Sequence, residues 1–422
     1  MNKSILLILT MFSVFYSWES TKIYIPSKKL YDDLSVYTGL DVLEISEFNE
    51  IKNKNIGLLI NQTSVNRQKK NIIDIFYNND DIKIKKIFTP EHGLNGKFNA
   101  GEFVDSDIDK EKNIDIISLY GKNKKPNASD LVDLDLIIYD IQDIGSRFYT
   151  YISTMTYMME ACAEQNIKMI ILDRPNLLGG NYIKGPLLNV NYSSFVGMHP
   201  IPIIHGMTSG ELAIMINESK WIAEKVDLTI IPIINWKRNT TIENTNLIWT
   251  KPSPNIVDYE TVKLYAGLCL LEGTNISEGR GTQDPFKIFG APFISSEDLL
   301  SSGNNLKYFG INLKKIDFIP TSIFEMAKWP KLKDEKCFGL KLEIEKKDYD
   351  VLKFTVNLMV LLNDLYPNKF KFLESNFIDN LYGSDKLRKT IINKENINNL
   401  FKDWENDEEY FKKKRAKFLI YD

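Results

Sequence analysis

Polar residues able to move protons, hold a cation or grip an anion are gathered in four short clusters, each directly behind an apolar run. The first is Asn61, Gln62 and Thr63, and the second is Pro90, Glu91, His92 and Gly93. Asp140, Gln142, Asp143, Ser146 and Arg147 make the third, and Asp173, Arg174, Pro175 and Asn176 the fourth. Polar residues ordinarily follow strands as loops and helix caps, but four such tips carrying Glu, His, Asp, Arg and Asn point to one shared crevice. Three chemistries are open to them: acid–base hydrolysis through a carboxyl, a metal-dependent hydrolase built on His92, Asp140, Asp143 and Asp173, or binding without turnover. Nucleotide chemistry is not among them. No Gly-x-Gly-x-x-Gly follows the first apolar run, and Gly279-Arg280-Gly281-Thr282 lacks the strand and the Gly-Lys-Ser/Thr ending of a phosphate cradle.

The crevice follows from the elements that carry these clusters. From residue 55 onward, short β-branched runs at 56–60, 82–88, 114–119, 136–139, 168–172 and 228–234 alternate with helical patterns at 71–77, 151–163 and 209–216. Such alternation predicts an α/β fold with a Rossmann-like, doubly wound parallel sheet over 36–248, whose ligands bind beyond the carboxyl ends of the strands. Two prolines in the stretch 249–258 break the alternation and set a domain boundary there. A smaller α+β domain over 249–422 follows, with helical patterns at 259–272, 351–365 and 397–413, a strand at 339–344 and a Gly-rich segment at 272–281. The charge run 412–417 reads as a solvated helix face.

Composition narrows the partners. With 422 residues, 43% of them hydrophobic, the chain can bury a large core in two domains. Lys and Arg number 53 against 56 Asp and Glu, with no long basic block, which excludes nucleic acid as a partner. Cys162, Cys269 and Cys337 fit neither a zinc site nor a redox pair, and an odd count builds no disulfide framework. Lys3 followed by the apolar run 5–16 is the short core of a secretory signal, too short to span a membrane. Residues 1–20 are therefore expected to be a cleaved leader or a retained anchor, with no other stable membrane span, on an exported, periplasmic or cell-envelope-associated protein.

The four clusters belong to a longer series. After Pro90-Glu91-His92-Gly93 come Ala100-Gly101-Glu102 and Ser118-Leu119-Tyr120-Gly121, then an unbroken signature from Asp140 through Arg147 to Tyr151. Beyond Asp173-Arg174-Pro175-Asn176 stand His205-Gly206-Met207-Thr208, Gly210-Glu211-Leu212, Pro252-Ser253-Pro254-Asn255, and Glu272-Gly273-Thr274-Asn275 with Ser277-Glu278-Gly279-Arg280. In this order the motifs resemble the exo-β-N-acetylmuramidase (NamZ-like) family of peptidoglycan-processing glycoside hydrolases. The resemblance implies a Rossmann-like domain joined to a smaller one, a site in the cleft between them, and no metal or cofactor. It further implies peptidoglycan-derived muramic acid glycans as partners, with terminal N-acetylmuramic acid released from their non-reducing ends.

Roles follow for named residues. Glycoside hydrolysis needs a protonated carboxyl beside the leaving oxygen, and Glu91, at a strand end where the family pattern has its central glutamate, is the expected acid. Tyr149 and Tyr151 open a helix from which one hydroxyl could reach the reacting centre. Asp143, Glu211 and Glu278 are candidates for a second carboxylate. Muramic acid differs from glucosamine by its lactyl carboxylate, which arginine grips in two-pronged fashion, so Arg147, Arg174 and Arg280 are expected readers of that group. Asn61, Gln62 and Asn275 could bind hydroxyls or the acetamido group, and His92 and His205 could orient Glu91 or touch substrate. On the same cleft, a non-catalytic glycan-binding protein of the cell envelope is the alternative.

Overall fold

The computed structural model describes residues 20–24, 31, 35–98, 102, 107–109, 111–303, 306 and 309–422. The expected leader, up to residue 19, lies outside the described residues. Among those described, eight strands form the larger sheet: β1 (Thr21–Ile23), β2 (Lys54–Ile60), β3 (Ile82–Thr89), β4 (Asp107–Asp109), β5 (Ile114–Ser118), β6 (Leu136–Asp140), β7 (Lys168–Leu172) and β8 (Leu228–Ile231). Their order is β1-β8-β7-β6-β2-β3-β5-β4, parallel throughout except for β4 against β5. The chain runs outward from β2 through β3 and β5, then returns to β6 on the other side of β2. That reversal sets the carboxyl ends of β3, β2, β6 and β7 side by side, and it is there that an open α/β sheet leaves a crevice.

The strands read as continuous apolar runs because both faces of the sheet are covered. Leu59, Ile137, Tyr139, Ile171 and Ile230 pack on the face that holds the helices Tyr151–Glu164 and Ser209–Glu218. Their alternates Leu58, Ile60, Ile138, Leu172 and Ile231 pack on the opposite face with the helices Gly39–Ile45 and Ile72–Tyr77. The period-two alternation of strand side chains thus builds two cores from one set of strands.

A second, antiparallel sheet has the order β10-β11-β9, from β9 (Ile288–Ala291), β10 (Ile311–Phe318) and β11 (Cys337–Ile344). Gly339 permits it, since a Cβ there would stand 1.8 Å from the carbonyl oxygen of Phe289 on β9. The helices Tyr259–Leu268 and Val351–Leu365 pack on each other and extend the first core into this unit. At the seam, the rings of Phe148 and Tyr265 meet edge to face at 5.5 Å.

Several features depart from the sequence-based expectation. The strand β1 lies ahead of the expected domain start at residue 36, yet it pairs with β8 in the first sheet. The C-terminus also returns to that sheet: the Tyr421 hydroxyl donates to Asp173 at 2.6 Å, and the Arg238 amide donates to the Asp422 carbonyl at 2.7 Å. Arg415, inside the charge run expected to face solvent, is buried and donates to the carbonyls of Gly180, His205 and Gly206. The helical pattern 259–272 divides into an α-helix and a tighter turn, Cys269–Gly273. All three cysteines are buried thiols. No helix of the described residues is long and apolar enough to cross a membrane.

Candidate active site

The turn after β3 and the start of the helix after β6 face the second unit across a cavity of about 250 Å³. That is the scale of a small-ligand site. Glu91 and His92 come from the turn, and Tyr149, Thr150 and Tyr151 from the helix start. Ser253 and Asn255 enter from the connecting segment, while Tyr265, Glu272, Arg280 and Phe286 close the far wall. Tyr120 and Phe195 stand at one side with their ring centroids 6.0 Å apart.

Glu91 is buried, and its Oε2 accepts the Thr150 hydroxyl at 2.8 Å, which ties the β3 turn to the helix start. His92 holds a left-handed backbone (φ 72°), a conformation that costs a non-glycine residue of order 1–3 kcal/mol and persists only when its surroundings enforce it. The enforcing contact is a 2.7 Å hydrogen bond between His92 Nδ1 and the Phe98 carbonyl. Since the carbonyl can only accept, Nδ1 carries the proton. Burial lowers the His92 pKa, and neighbouring Glu91 offsets this in part, so the ring is neutral at neutral pH.

Tyr149 and Tyr151 meet edge to face at 4.8 Å, and burial pushes both phenols above their ordinary range. Both are protonated donors, not phenolates. The Tyr151 hydroxyl is committed to the Pro252 carbonyl at 2.8 Å, and Gln62 Nε2 donates to Lys251 and Pro252 carbonyls, each at 2.9 Å. These two side chains clamp the connecting segment that delivers Ser253 and Asn255 to the cavity. Gln62 is thus a positioning residue behind the wall, as is Asn61, whose Oδ1 accepts from the amide and hydroxyl of Thr63. Asp143 also lies behind the tyrosines: it accepts from the Gly145 amide at 2.7 Å, and burial pushes its carboxyl up to about 7.

The arginines separate sharply. Arg280 lines the cavity and donates Nε and Nη2 to Glu272, at 2.9 and 2.8 Å. Arg147 corrects the expectation of a carboxylate reader. Its guanidinium is buried in four backbone carbonyls, those of Pro186 and Ile201 at 2.7 Å, Leu381 at 3.1 Å and Tyr382 at 2.6 Å, so it joins the two units instead. Arg174 is likewise committed, to Asp140 at 2.5 and 2.9 Å and to the Val65 carbonyl at 2.9 Å.

Other expected ligands are corrected for similar reasons. His205 is fully buried between Arg147 and Arg415, its pKa pushed down to about 3, and its Nδ1 accepts the Met207 amide. Asn275 spends its amide on Lys369 and Lys371 backbone groups at 2.8 and 2.9 Å. Of the candidate second carboxylates, Glu211 is paired with Arg238 at 2.6 Å and bonded to its own helix cap. Glu278 pairs with Lys331 at 2.8 Å and braces Arg280 at 3.6 Å. Glu272, which received no role from the sequence, is the carboxyl that shares the cavity with Glu91. Burial raises its pKa, and Arg280 opposes that shift. The signal that could have found it is the Glu272–Arg280 spacing around a Gly-rich turn.

Comparisons with known proteins identify the family. Residues 56–260 match the family described as exo-beta-N-acetylmuramidase NamZ, N-terminal, and residues 263–421 match its C-terminal counterpart. The chain is 42% identical over 387 residues to the peptidoglycan beta-N-acetylmuramidase NamZ of Bacillus subtilis (strain 168), covering 92% of this chain and 91% of that protein. Crystal structures of two DUF1343 family proteins from Bacteroides fragilis NCTC 9343 superpose with TM-scores of 0.85 and 0.75, at 30% and 34% identity. Each covers 92% of this chain, and they are themselves covered to 100% and 99%.

Proposed function

The chain belongs to the exo-β-N-acetylmuramidase NamZ family and is a glycoside hydrolase, and we propose that Glu91 is the acid with which it frees terminal N-acetylmuramic acid from peptidoglycan fragments. The observation that carries this reading is a cavity between the two units in which Glu91 and Glu272 are the lining carboxyls among the described residues. Hydrolysis of a glycosidic bond uses one protonated carboxyl at the leaving oxygen and a second that is ionised. We assign proton donation to Glu91, at the strand end, and the second role to Glu272, whose carboxylate oxygen accepts from Arg280 Nε and Nη2 at 2.9 and 2.8 Å. Thr150 fixes the Glu91 carboxyl, and His92 beside it is neutral, which leaves Arg280 as the cation lining the cavity among the described residues.

Of the three arginines Arg280 lines the cavity, and to it we assign the lactyl carboxylate. Arg280 and Lys331 already face Glu272 and Glu278, so substrate must compete for the guanidinium. The resulting preference for muramic acid over glucosamine is therefore about tenfold, at the lower end of what a charge-assisted contact provides. We also read the apolar run 5–16 as an export signal that places the enzyme at the cell envelope, where its substrate is; N-terminal sequencing of the secreted protein tests this. For the catalytic assignment the test is Glu91→Gln, which keeps the shape and removes the proton donor. Turnover should fall on the order of 100-fold or more with binding largely intact. Near-normal turnover would dismiss Glu91 as the acid.

A further inference from the structure

Four charges of alternating sign run back from the cavity wall: Glu272, Arg280, Glu278 and Lys331. Glu272 and Arg280 line the cavity, whereas Glu278 and Lys331 stand behind them. Only 3% of the Glu278 side chain is exposed, so its carboxylate has little water to solvate it and must draw on neighbouring cations. Two are in reach among the described residues. Lys331 Nζ lies 2.8 Å from Glu278 Oε2, and Arg280 Nε lies 3.6 Å from Oε1. The nearer cation is the one that does not line the cavity.

Lys331 reaches this position from outside the Gly-rich segment, on a loop docked there by contacts of its own. The Thr321 amide donates to the Gly281 carbonyl at 2.8 Å. Gly281 has a left-handed backbone (φ 82°), and a Cβ there would stand 2.6 Å from the Pro330 ring, so only glycine lets the loop approach this closely. The Lys331 ammonium also donates to the carbonyls of Leu271 and Thr274, at 2.8 and 3.1 Å, which bracket Glu272 in sequence. With two of its three N–H groups on carbonyls and its charge set against Glu278, Lys331 is placed to hold the wall and not to bind substrate.

Without Lys331, Glu278 would have Arg280 as its one cation among the described residues, and that guanidinium would be claimed by carboxylates on two sides. Resting on the assignment of Arg280 to the lactyl carboxylate, we propose that Lys331 is a positioning residue that sets sugar selectivity. By neutralising Glu278 it leaves Arg280 a single internal competitor, Glu272, when the substrate carboxylate arrives. The effect passes through charge, so it separates from the mechanical support that the two carbonyl contacts give to the turn Cys269–Gly273.

The test compares wild type, Lys331→Met, and the double variant Lys331→Met with Glu278→Gln, on chromogenic glycosides of muramic acid and of glucosamine. Loss of the carbonyl contacts slows both glycosides alike, so the ratio of their kcat/KM values reports the charge. In Lys331→Met the preference for muramic acid should fall by about three- to tenfold, mainly through KM. The double variant has no orphaned carboxylate to claim Arg280, and its preference should return to within about twofold of wild type. An unchanged preference in Lys331→Met would overturn the proposal. So would a lost preference that Glu278→Gln does not restore, since that places the effect in the carbonyl contacts. Urea unfolding checks each variant, and failure of both Lys331→Met and Lys331→Gln to fold would make Lys331 a structural residue and overturn it too. A wild type that turns over neither glycoside, or both alike, removes the reading beneath this role and the role with it; a wild type with the preference and a Lys331→Met that keeps it removes the role alone.

Discussion

Replacing Arg147 with methionine should destabilise the protein and leave its sugar selectivity unchanged. The guanidinium donates to four carbonyls, two from the segments at Pro186 and Ile201 and two from the helix Phe377–Tyr382, so it bridges the two units. A hydrogen bond to a charged group contributes roughly 1.5–3 kcal/mol, so four would sum to roughly 6–12 kcal/mol. Against this stands the desolvation of a buried guanidinium, several kcal/mol that methionine does not incur, and burial indeed draws the Arg147 pKa down. The difference is a loss of about 3–5 kcal/mol. Urea unfolding followed by tryptophan fluorescence should show a lower midpoint with an unchanged slope. Below that midpoint the variant should keep its ratio of muramic acid to glucosamine turnover. A midpoint equal to wild type, or a collapsed ratio, would refute the structural assignment.

Arg280→Met should slow both glycosides, because Glu272 loses its partner, and slow the muramic acid glycoside about tenfold more; an equal fold-loss on both substrates would remove Arg280 as the reader of the lactyl group. Asp143 concerns pH. Its folded pKa, about 7, lies above the ordinary 3.8, so the folded state holds a proton the unfolded state gives up, and stability falls as pH rises across that window. Asp143→Asn keeps the acceptor for the Gly145 amide and should flatten that decline, with a higher unfolding midpoint at pH 8 than wild type. A variant less stable than wild type at pH 8 would contradict burial as the cause of the shift.

Much of the first sheet was legible because parallel strands covered on both faces are apolar throughout, as Leu58, Leu59 and Ile60 in β2 show. What escaped notice were short or amphipathic strands: β1 is three residues long, and β10 buries Ile311 but exposes its lysines. The polar tips located Glu91 correctly at the cavity. Sequence could not distinguish Arg147 from Arg280, because both sit in polar loops; which way the guanidinium points depends on carbonyls more than 200 residues away, at Leu381 and Tyr382. His205 and Asn275 failed similarly, since their partners are set by tertiary packing. Glu272 was overlooked because only the second unit's placement brings it opposite Glu91.

The most direct measurement is the product pattern from a muramic acid–glucosamine tetrasaccharide carrying muramic acid at its non-reducing end, followed in time by mass spectrometry with purified protein. A terminal sugar in a cavity of about 250 Å³, with Glu91 at its bond, predicts that free N-acetylmuramic acid and a glucosamine-led trisaccharide appear first and together. Glu91→Gln should yield neither on the same timescale. Disaccharides as the first products, or no cleavage by the wild-type protein, would contradict it.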